Sequence, residues 1–393
     1  MMEVGIITLY YNNANYGGLL QSYALVSAMD KIGMTARQIS FDRSNDKSPL
    51  SISRIDRMKS NPLSFAGDVI KNRIRKFEYI FWGKRKQTEI SQLLEKRIRA
   101  LKKFEKSIPH TEVISKNDLT NLNLEFDAFI CGSDQIWNPS LLRDAYLLTF
   151  AADDKVKIAY AASFGRDVLN DTDIQYISQK IKNFNAISIR EEFAKNTLEK
   201  VIKKPVYWVL DPTLLLERDD WDKISEPYSV SDPYVLTYFL GDNEKQRKVI
   251  KKFARDNNLK LLGFPHILGK FCQADVGYAD EELYNVSPSQ FIYLIAHAKY
   301  VATDSFHACV FSIIYRKNFV VFNRQIKRTG EQMSSRIISL LKVVNLSDCL
   351  VSEDVFTGIK EVSYDNLEGL ENMKKLSYDF LRDTLLRGEQ YVK

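Results

Sequence analysis

Cysteine and histidine are scarce in this chain, with four of each among 393 residues. Cys131, Cys272, Cys309 and Cys349 lie far apart without a C-x-x-C pair. That excludes a disulfide framework or a zinc site of ordinary spacing and leads us to expect reduced thiols in a cytoplasmic protein. His110, His266, His297 and His307 are equally scattered, and no H-x-x-x-H or carboxylate–histidine cluster calls for a metal. No run of about 20 apolar residues is present to cross a bilayer. The apolar start, residues 4–9, has neither the length nor the basic flank of a secretory leader. Internal repeats and low-complexity segments are missing too. Net charge is only +6, and it is uneven: residues 53–106 carry 16 Lys/Arg against 6 Asp/Glu, leaving the remainder slightly acidic. A basic character confined to one segment speaks against nucleic acid as a partner and for local contact with an anionic surface.

What is present is a long, ordinary globular composition, 45% apolar and 27% charged, too long for one core, so two domains are expected. The chain opens with a strand over residues 4–9, a polar loop over 10–18, a helix over 19–32 closed by Gly33 as C′ residue, and a strand over 36–41. This βαβ start is that of a Rossmann-like sheet. Residues 46–107 read as a helical insertion. Ile70, Ile74, Phe77 and Phe81 follow one helical stripe, and Ile90, Leu94, Ile98 and Leu101 a second, both with basic outer faces. Two readings stand for it: a solvated hairpin packed on the domain, or a platform for an anionic membrane surface or lipid-linked substrate. Strands over 126–131, 157–161 and 186–189 continue the first domain, with a helix over 174–184, and residues 206–210, followed by Asp211-Pro212-Thr213, read as the crossing into the second. Alternation restarts with strands over 234–240, 260–263, 300–302 and 319–322, helices over 288–296 and 308–315, and a final amphipathic helix over 367–386. The expected class is α/β and GT-B-like: domains over 1–204 and 205–364 facing a central cleft, with 365–393 packing back across them.

Four loops at expected strand ends carry the chemistry. In Thr303-Asp304-Ser305-Phe306-His307, Ser305 is placed to cap a helix whose first N–H groups would face an anion, with His307 in the first turn. Read alone, His307 is as well explained by core packing. Asn12 to Gly18 brings amides and glycines to a helix start without being G-x-G-x-x-G or a P-loop. Cys131-Gly132-Ser133-Asp134-Gln135-Ile136-Trp137-Asn138-Pro139 offers a carboxylate and amides for sugar hydroxyls and an aromatic face for a ring. Arg190, in Ser188-Ile189-Arg190-Glu191-Glu192, is a two-pronged clamp for carboxylate or phosphate, or else a salt-bridge partner of its neighbours.

Taken in order, Asn15-Tyr16-Gly17-Gly18, the Cys131–Pro139 loop, Ser188-Ile189-Arg190-Glu191, Leu210-Asp211-Pro212 and Asp304-Ser305-Phe306-His307 resemble the polysaccharide pyruvyl transferase family over about residues 4–345. The resemblance implies a GT-B-like enzyme that moves the enolpyruvyl unit of phosphoenolpyruvate onto two hydroxyls of a sugar. The product is a cyclic pyruvate ketal in a cell-surface polysaccharide or its lipid-linked precursor. It implies phosphoenolpyruvate as co-substrate and no metal or other cofactor, in a protein whose scattered cysteines already suggest the cytoplasm and whose basic insertion, on its second reading, places it at the inner membrane face. By resemblance, His307 is the acid/base, Asp134 and Asp304 handle the sugar hydroxyls or orient His307, and Arg190 clamps the donor. Ser305 stands where described members often carry Arg, two residues before the His, so Arg324 or Arg336 or the helix N-terminus would supply the missing charge beside Phe306. Asn15, Tyr16, Gly17, Gln135, Trp137 and Asn138 are the expected acceptor side. Two rivals remain on sequence: a GT-B glycosyltransferase using a nucleotide sugar, and a non-catalytic carbohydrate-binding relative.

Overall fold

The structure is a computed structural model that describes residues 2–50, 84–230, 233–266, 272–275, 277–324 and 335–389. Its first sheet holds seven parallel strands: β1 (Glu3–Ile7), β2 (Thr35–Phe41), β3 (His110–Ile114), β4 (Ala128–Gly132), β5 (Val156–Ala162), β6 (Ala186–Ile189) and β7 (Tyr207–Trp208), in the order β3-β2-β1-β4-β5-β6-β7. The second holds β8 (Tyr234–Tyr238), β9 (Lys260–Phe264), β10 (Glu281–Glu282), β11 (Tyr300–Thr303), β12 (Asn318–Phe322) and β13 (Leu350–Val351), in the order β10-β9-β8-β11-β12-β13. All of its pairings are parallel as well. Each sheet therefore reverses direction once, between β1 and β4 and between β8 and β11. Those reversals open a crevice at the carboxyl ends of the strands, where doubly wound sheets place ligands.

The inner strands β1, β4, β5, β6, β8, β9, β11 and β12 are near-continuous buried runs, as sheets covered on both faces require. The helices follow from caps and breakers. α1 (Tyr16–Lys31) starts on Asn15, whose side chain accepts from Gly17 N–H, and ends before Gly33, whose φ of 77° a side chain would strain. α2 (Lys84–Ser107) is the described part of the basic segment; the expected stripe Ile70–Ile74–Phe77–Phe81 lies outside the described residues. The buried stripe of α2 is not the expected one. Ile98 is 44% exposed, while Arg97, Leu101 and Phe104 face inward. Phe104 meets Tyr23 of α1, and Arg97 donates to the Pro265 carbonyl of the second sheet at 3.0 Å. Lys96, Arg99, Lys102, Lys103 and Lys106 are exposed on the outer face.

α3 (Asp171–Ile181) and α4 (Glu192–Ile202) cover the first sheet, and the short α5 (Arg218–Asp222) follows the crossing between the sheets. α6 (Glu244–Asp256), α7 (Pro288–His297), α8 (Phe306–Ile314) and α9 (Ser335–Val343) belong to the second. The expected crossing over 206–210 contains the two-residue β7, which pairs with β6, and Asp211-Pro212 then turns the chain into a 3-10 segment in which the Asp211 carboxylate accepts from Thr213 N–H at 3.0 Å. The last helix, α10 (Glu368–Glu389), returns to the first sheet. There Ser377 Oγ accepts from Leu210 N–H at 3.0 Å and Phe380 lies against Tyr207 and Tyr160. A single apolar cluster runs from Val4 and Ile6 of β1 through Phe291 and Phe311 to Leu381 and Leu385, so the two sheets share a core. Among the described residues, no helix is long and apolar enough to cross a membrane.

Candidate active site

The two reversal points face each other, and His307 is the contact between them. It stands in the first turn of α8, directly after β11, with its ring packed on Gly17 in the first turn of α1. A Cβ on Gly17 would come within 2.0 Å of His307 Nδ1. On its other side, His307 Nε2 looks at Asp211 Oδ2 from 3.8 Å, beyond hydrogen-bond range, and has no hydrogen-bond partner among the described residues. The ring is only 8% exposed. The imidazole is thus held by packing, with one nitrogen left open toward a fixed carboxylate.

Asp211 is the residue that sequence reasoning missed. It sits in the quoted Leu210-Asp211-Pro212 motif but reads there as a domain crossing. Its Oδ2 accepts from Arg190 Nη1 and from Ser133 Oγ at 3.2 Å, and its Oδ1 from Thr213 N–H and Oγ1 at 3.0 and 2.6 Å. Burial works to raise its pKa, but the Arg190 charge, then His307 and Thr213, outweigh burial and hold the carboxyl well below its ordinary range. Arg190 reaches Asp134 Oδ1 as well, at 3.5 Å. Burial opposes its charge, and Asp211, Asp134 and Glu191 more than offset that, so its pKa rises. With both Nη atoms committed to carboxylates, Arg190 is a rigid post more than an open clamp. Neither Glu191 nor Glu192 is its hydrogen-bond partner; Glu191 instead accepts from Ser163 Oγ and from Gly165 N–H at 3.4 Å.

Phe306 lies beneath two guanidinium groups, Arg190 at 4.6 Å and Arg336 at 5.7 Å from the ring centre. Arg336, buried at the start of α9, meets Gln135: turned to present its amide oxygen, Gln135 accepts from Nη1 at 3.0 Å and Nη2 at 3.2 Å. Burial, then the like charges of Arg190 and Arg324, lower the Arg336 pKa to about 10. Excess positive potential of that kind is what a bound anion relieves.

Other expected site residues do different work. Asp304 does not orient His307; its carboxylate accepts from Leu240 and Gly241 N–H at 2.6 and 2.8 Å and so pins the loop after β8 to the end of β11. Ser305 occupies the cap position of α8, but its side chain makes no cap bond; its own N–H donates to Thr303 Oγ1 at 2.9 Å. Trp137 offers no face to a sugar: its indole is wholly buried against Phe164 and donates to the Tyr146 carbonyl at 3.4 Å. Tyr16 is equally buried, stacked on Phe291 at 4.8 Å with its hydroxyl on the Val286 carbonyl. Asn15 is spent as a helix cap, and Asn138 Oδ1 closes a turn on Ser140. Of the expected acceptor residues, Gly17 and Gln135 touch the cluster built on His307 and Arg336. No group of three His, Cys, Asp or Glu side chains among the described residues is arranged to hold a metal.

Among solved structures, the chain is similar to MnaA of S. aureus in a co-structure with UDP, at 10% identity, 97% coverage of this chain, 88% of that one and a TM-score of 0.51. It is also similar to UDP-GlcNAc 2-epimerase from Methanocaldococcus jannaschii, at 12% identity, 96% and 93% coverage and a TM-score of 0.48. At 10% identity the likeness to MnaA concerns the fold alone, which is the GT-B arrangement of two Rossmann-like halves. No curated protein sequence matches the chain. The sequence model described as polysaccharide pyruvyl transferase matches residues 15–325.

Proposed function

The chain belongs to the polysaccharide pyruvyl transferase family, and from that premise we propose that it transfers the enolpyruvyl unit of phosphoenolpyruvate to two hydroxyls of one sugar. The observation that carries the proposal is the packing of one open histidine nitrogen, one ionised carboxylate and two buried arginines around Phe306 where the two sheets meet.

The chemistry needs a proton delivered to C3 of the donor, which turns the CH2 carbon into a methyl and leaves C2 electron-poor. A sugar hydroxyl adds at C2, losing its proton; the C2–O bond to phosphate breaks; a second hydroxyl closes the ketal. Of the two hydroxyl protons, one replaces that spent on C3 and one leaves with phosphate. His307 Nε2 is the group that gives and recovers the proton. Asp211, 3.8 Å away, supplies a fixed countercharge when the ring is protonated. Arg336, with Arg324 contributing charge nearby, receives donor oxygens, replacing the arginine expected at Ser305. Arg190 fixes Asp211 and Asp134, and Asp134 is the carboxylate on the acceptor side.

The test is a melting-temperature series with phosphoenolpyruvate. Wild type should be stabilised by it and Arg336→Gln should not. Equal stabilisation of both proteins would take Arg336 out of the donor site.

A further inference from the structure

Next to the His307 cluster is a second group of charges that the reaction above does not use. Arg97 is 2% exposed although it is an arginine on a helix of basic residues. Its guanidinium covers the Tyr16 ring at 4.6 Å, Nη1 donates to the Pro265 carbonyl, and buried Nε has no hydrogen-bond partner among the described residues. The following residue in that strand-end loop is His266. Its N–H donates to Asp275 Oδ2 at 2.8 Å, but its ring Nε2 is buried and without a partner among the described residues. Asp275 does not neutralise this corner, because Arg247 holds it through two bonds of 2.9 and 2.6 Å. With Arg247 paired to Asp275, the charges left acting on His266 are chiefly Arg324 and Arg97 against the carboxylate of Asp304, which already accepts two backbone N–H groups. Burial first, and then the three arginines, lower the His266 pKa in spite of Asp304. A buried polar atom without a partner is costly, and Arg97 Nε and His266 Nε2 are two such atoms on residues brought together by the Arg97 bond to the Pro265 carbonyl.

We propose that Arg97 and His266 form a second anion subsite in the same cleft, and that it takes a phosphoryl group carried by the sugar acceptor. The position assigns it to the acceptor. His266 follows β9, two strands from β11, which leads into His307, a spacing of about 10 Å between strand axes. That is farther than the carboxylate and single phosphate of phosphoenolpyruvate extend. The inference rests on the reading of His307 and Arg336 as the donor end. It gives Arg97 a purpose in α2: the basic segment contributes one residue to the interior of the cleft, where the rest of its cations face outward.

Isothermal titration with phosphoenolpyruvate, pyrophosphate, galactose 1-phosphate and galactose tests it on the full chain. Pyrophosphate should bind wild type with an affinity that saturating phosphoenolpyruvate leaves unchanged. Galactose 1-phosphate should displace pyrophosphate, and galactose should not. Arg97→Gln and, as an independent variant at an adjacent position, His266→Gln should each weaken pyrophosphate at least about tenfold, the loss of one charge-assisted contact, while leaving phosphoenolpyruvate binding within about twofold. Competition between pyrophosphate and phosphoenolpyruvate, or unchanged pyrophosphate binding in both variants, overturns the second subsite. Pyrophosphate binding without displacement by galactose 1-phosphate overturns the acceptor assignment. If wild type fails to bind phosphoenolpyruvate while pyrophosphate still follows Arg97, the subsite stands and the donor reading falls.

Discussion

Replacing Gly17 with alanine separates stability from catalysis more cleanly than removing a charged group. Gly17 lies in the first turn of α1 with an ordinary helical backbone, so alanine there should stabilise the helix by about 0.5–1 kcal/mol if the space were empty. The space is not empty. The new methyl would lie 2.0, 2.4 and 2.7 Å from Nδ1, Cγ and Cε1 of His307. To restore ordinary contact at 3.4 Å the ring must retreat by about 1.4 Å, and displacements of about 1 Å at a reacting group cost on the order of 100-fold in rate. The retreat is resisted by Phe306, whose ring meets the imidazole edge-on at 5.2 Å. We therefore expect Gly17→Ala to melt within a few degrees of wild type and to lose roughly 100-fold in kcat, with the KM for phosphoenolpyruvate little changed because Arg336 is untouched. Phosphate release from phosphoenolpyruvate, measured beside a thermal melt, reads both quantities. A Gly17→Ala protein retaining near-normal kcat would show that His307 need not stand where the structure puts it, and would refute the catalytic reading of that ring.

Asp211→Asn should be damaging in both respects. It leaves Arg190 buried with only the longer contact to Asp134, at a cost of about 3 kcal/mol, and it removes the countercharge of His307, lowering kcat about 100-fold or more. The same residue sets an acid limb. Its folded pKa lies below the ordinary value of about 3.9, so its stabilisation is complete above that pH and is lost as pH falls through the lower folded value. Urea melts of wild type between neutral and acid pH should show this loss, and Asp211→Asn should lack that part of it; parallel curves would contradict the assignment. Trp137→Phe should cost about 1–3 kcal/mol through the lost indole bond and the space left behind, without changing the KM of any sugar acceptor. A raised acceptor KM would return Trp137 to the binding surface.

The alternation of apolar runs and helical stripes made the two Rossmann-like halves legible, because buried parallel strands leave an unmistakable pattern in sequence. Short edge strands such as β7, β10 and β13 were not legible, since two residues carry no periodicity. Loops at the reversal points were correctly located, but the direction of their side chains was not. Trp137 and Tyr16 have the composition of a sugar platform and are core residues; nothing in a linear motif tells an aromatic that faces a ligand from one that faces Phe164 or Phe291. Asp211 escaped notice for the opposite reason. Beside proline at the end of a short strand it reads as a turn, and only the fold brings it to Arg190 and His307, at sequence separations of 21 residues and 96 residues. Arg97 shows the same limit within a helix, where its neighbours Lys96 and Arg99 are exposed and it alone of the three is buried.

The central claim is that a proton is delivered to C3 of phosphoenolpyruvate while its C2 is captured by a sugar diol. Incubating the protein in D2O with phosphoenolpyruvate and a panel of sugars bearing neighbouring hydroxyls, and following the reaction by proton NMR and phosphate release, tests it directly. The account predicts a new methyl signal carrying one deuterium, matched one for one by inorganic phosphate and abolished in His307→Ala. Release of a nucleotide from nucleotide sugars, with phosphoenolpyruvate unconsumed across the same panel, would contradict it.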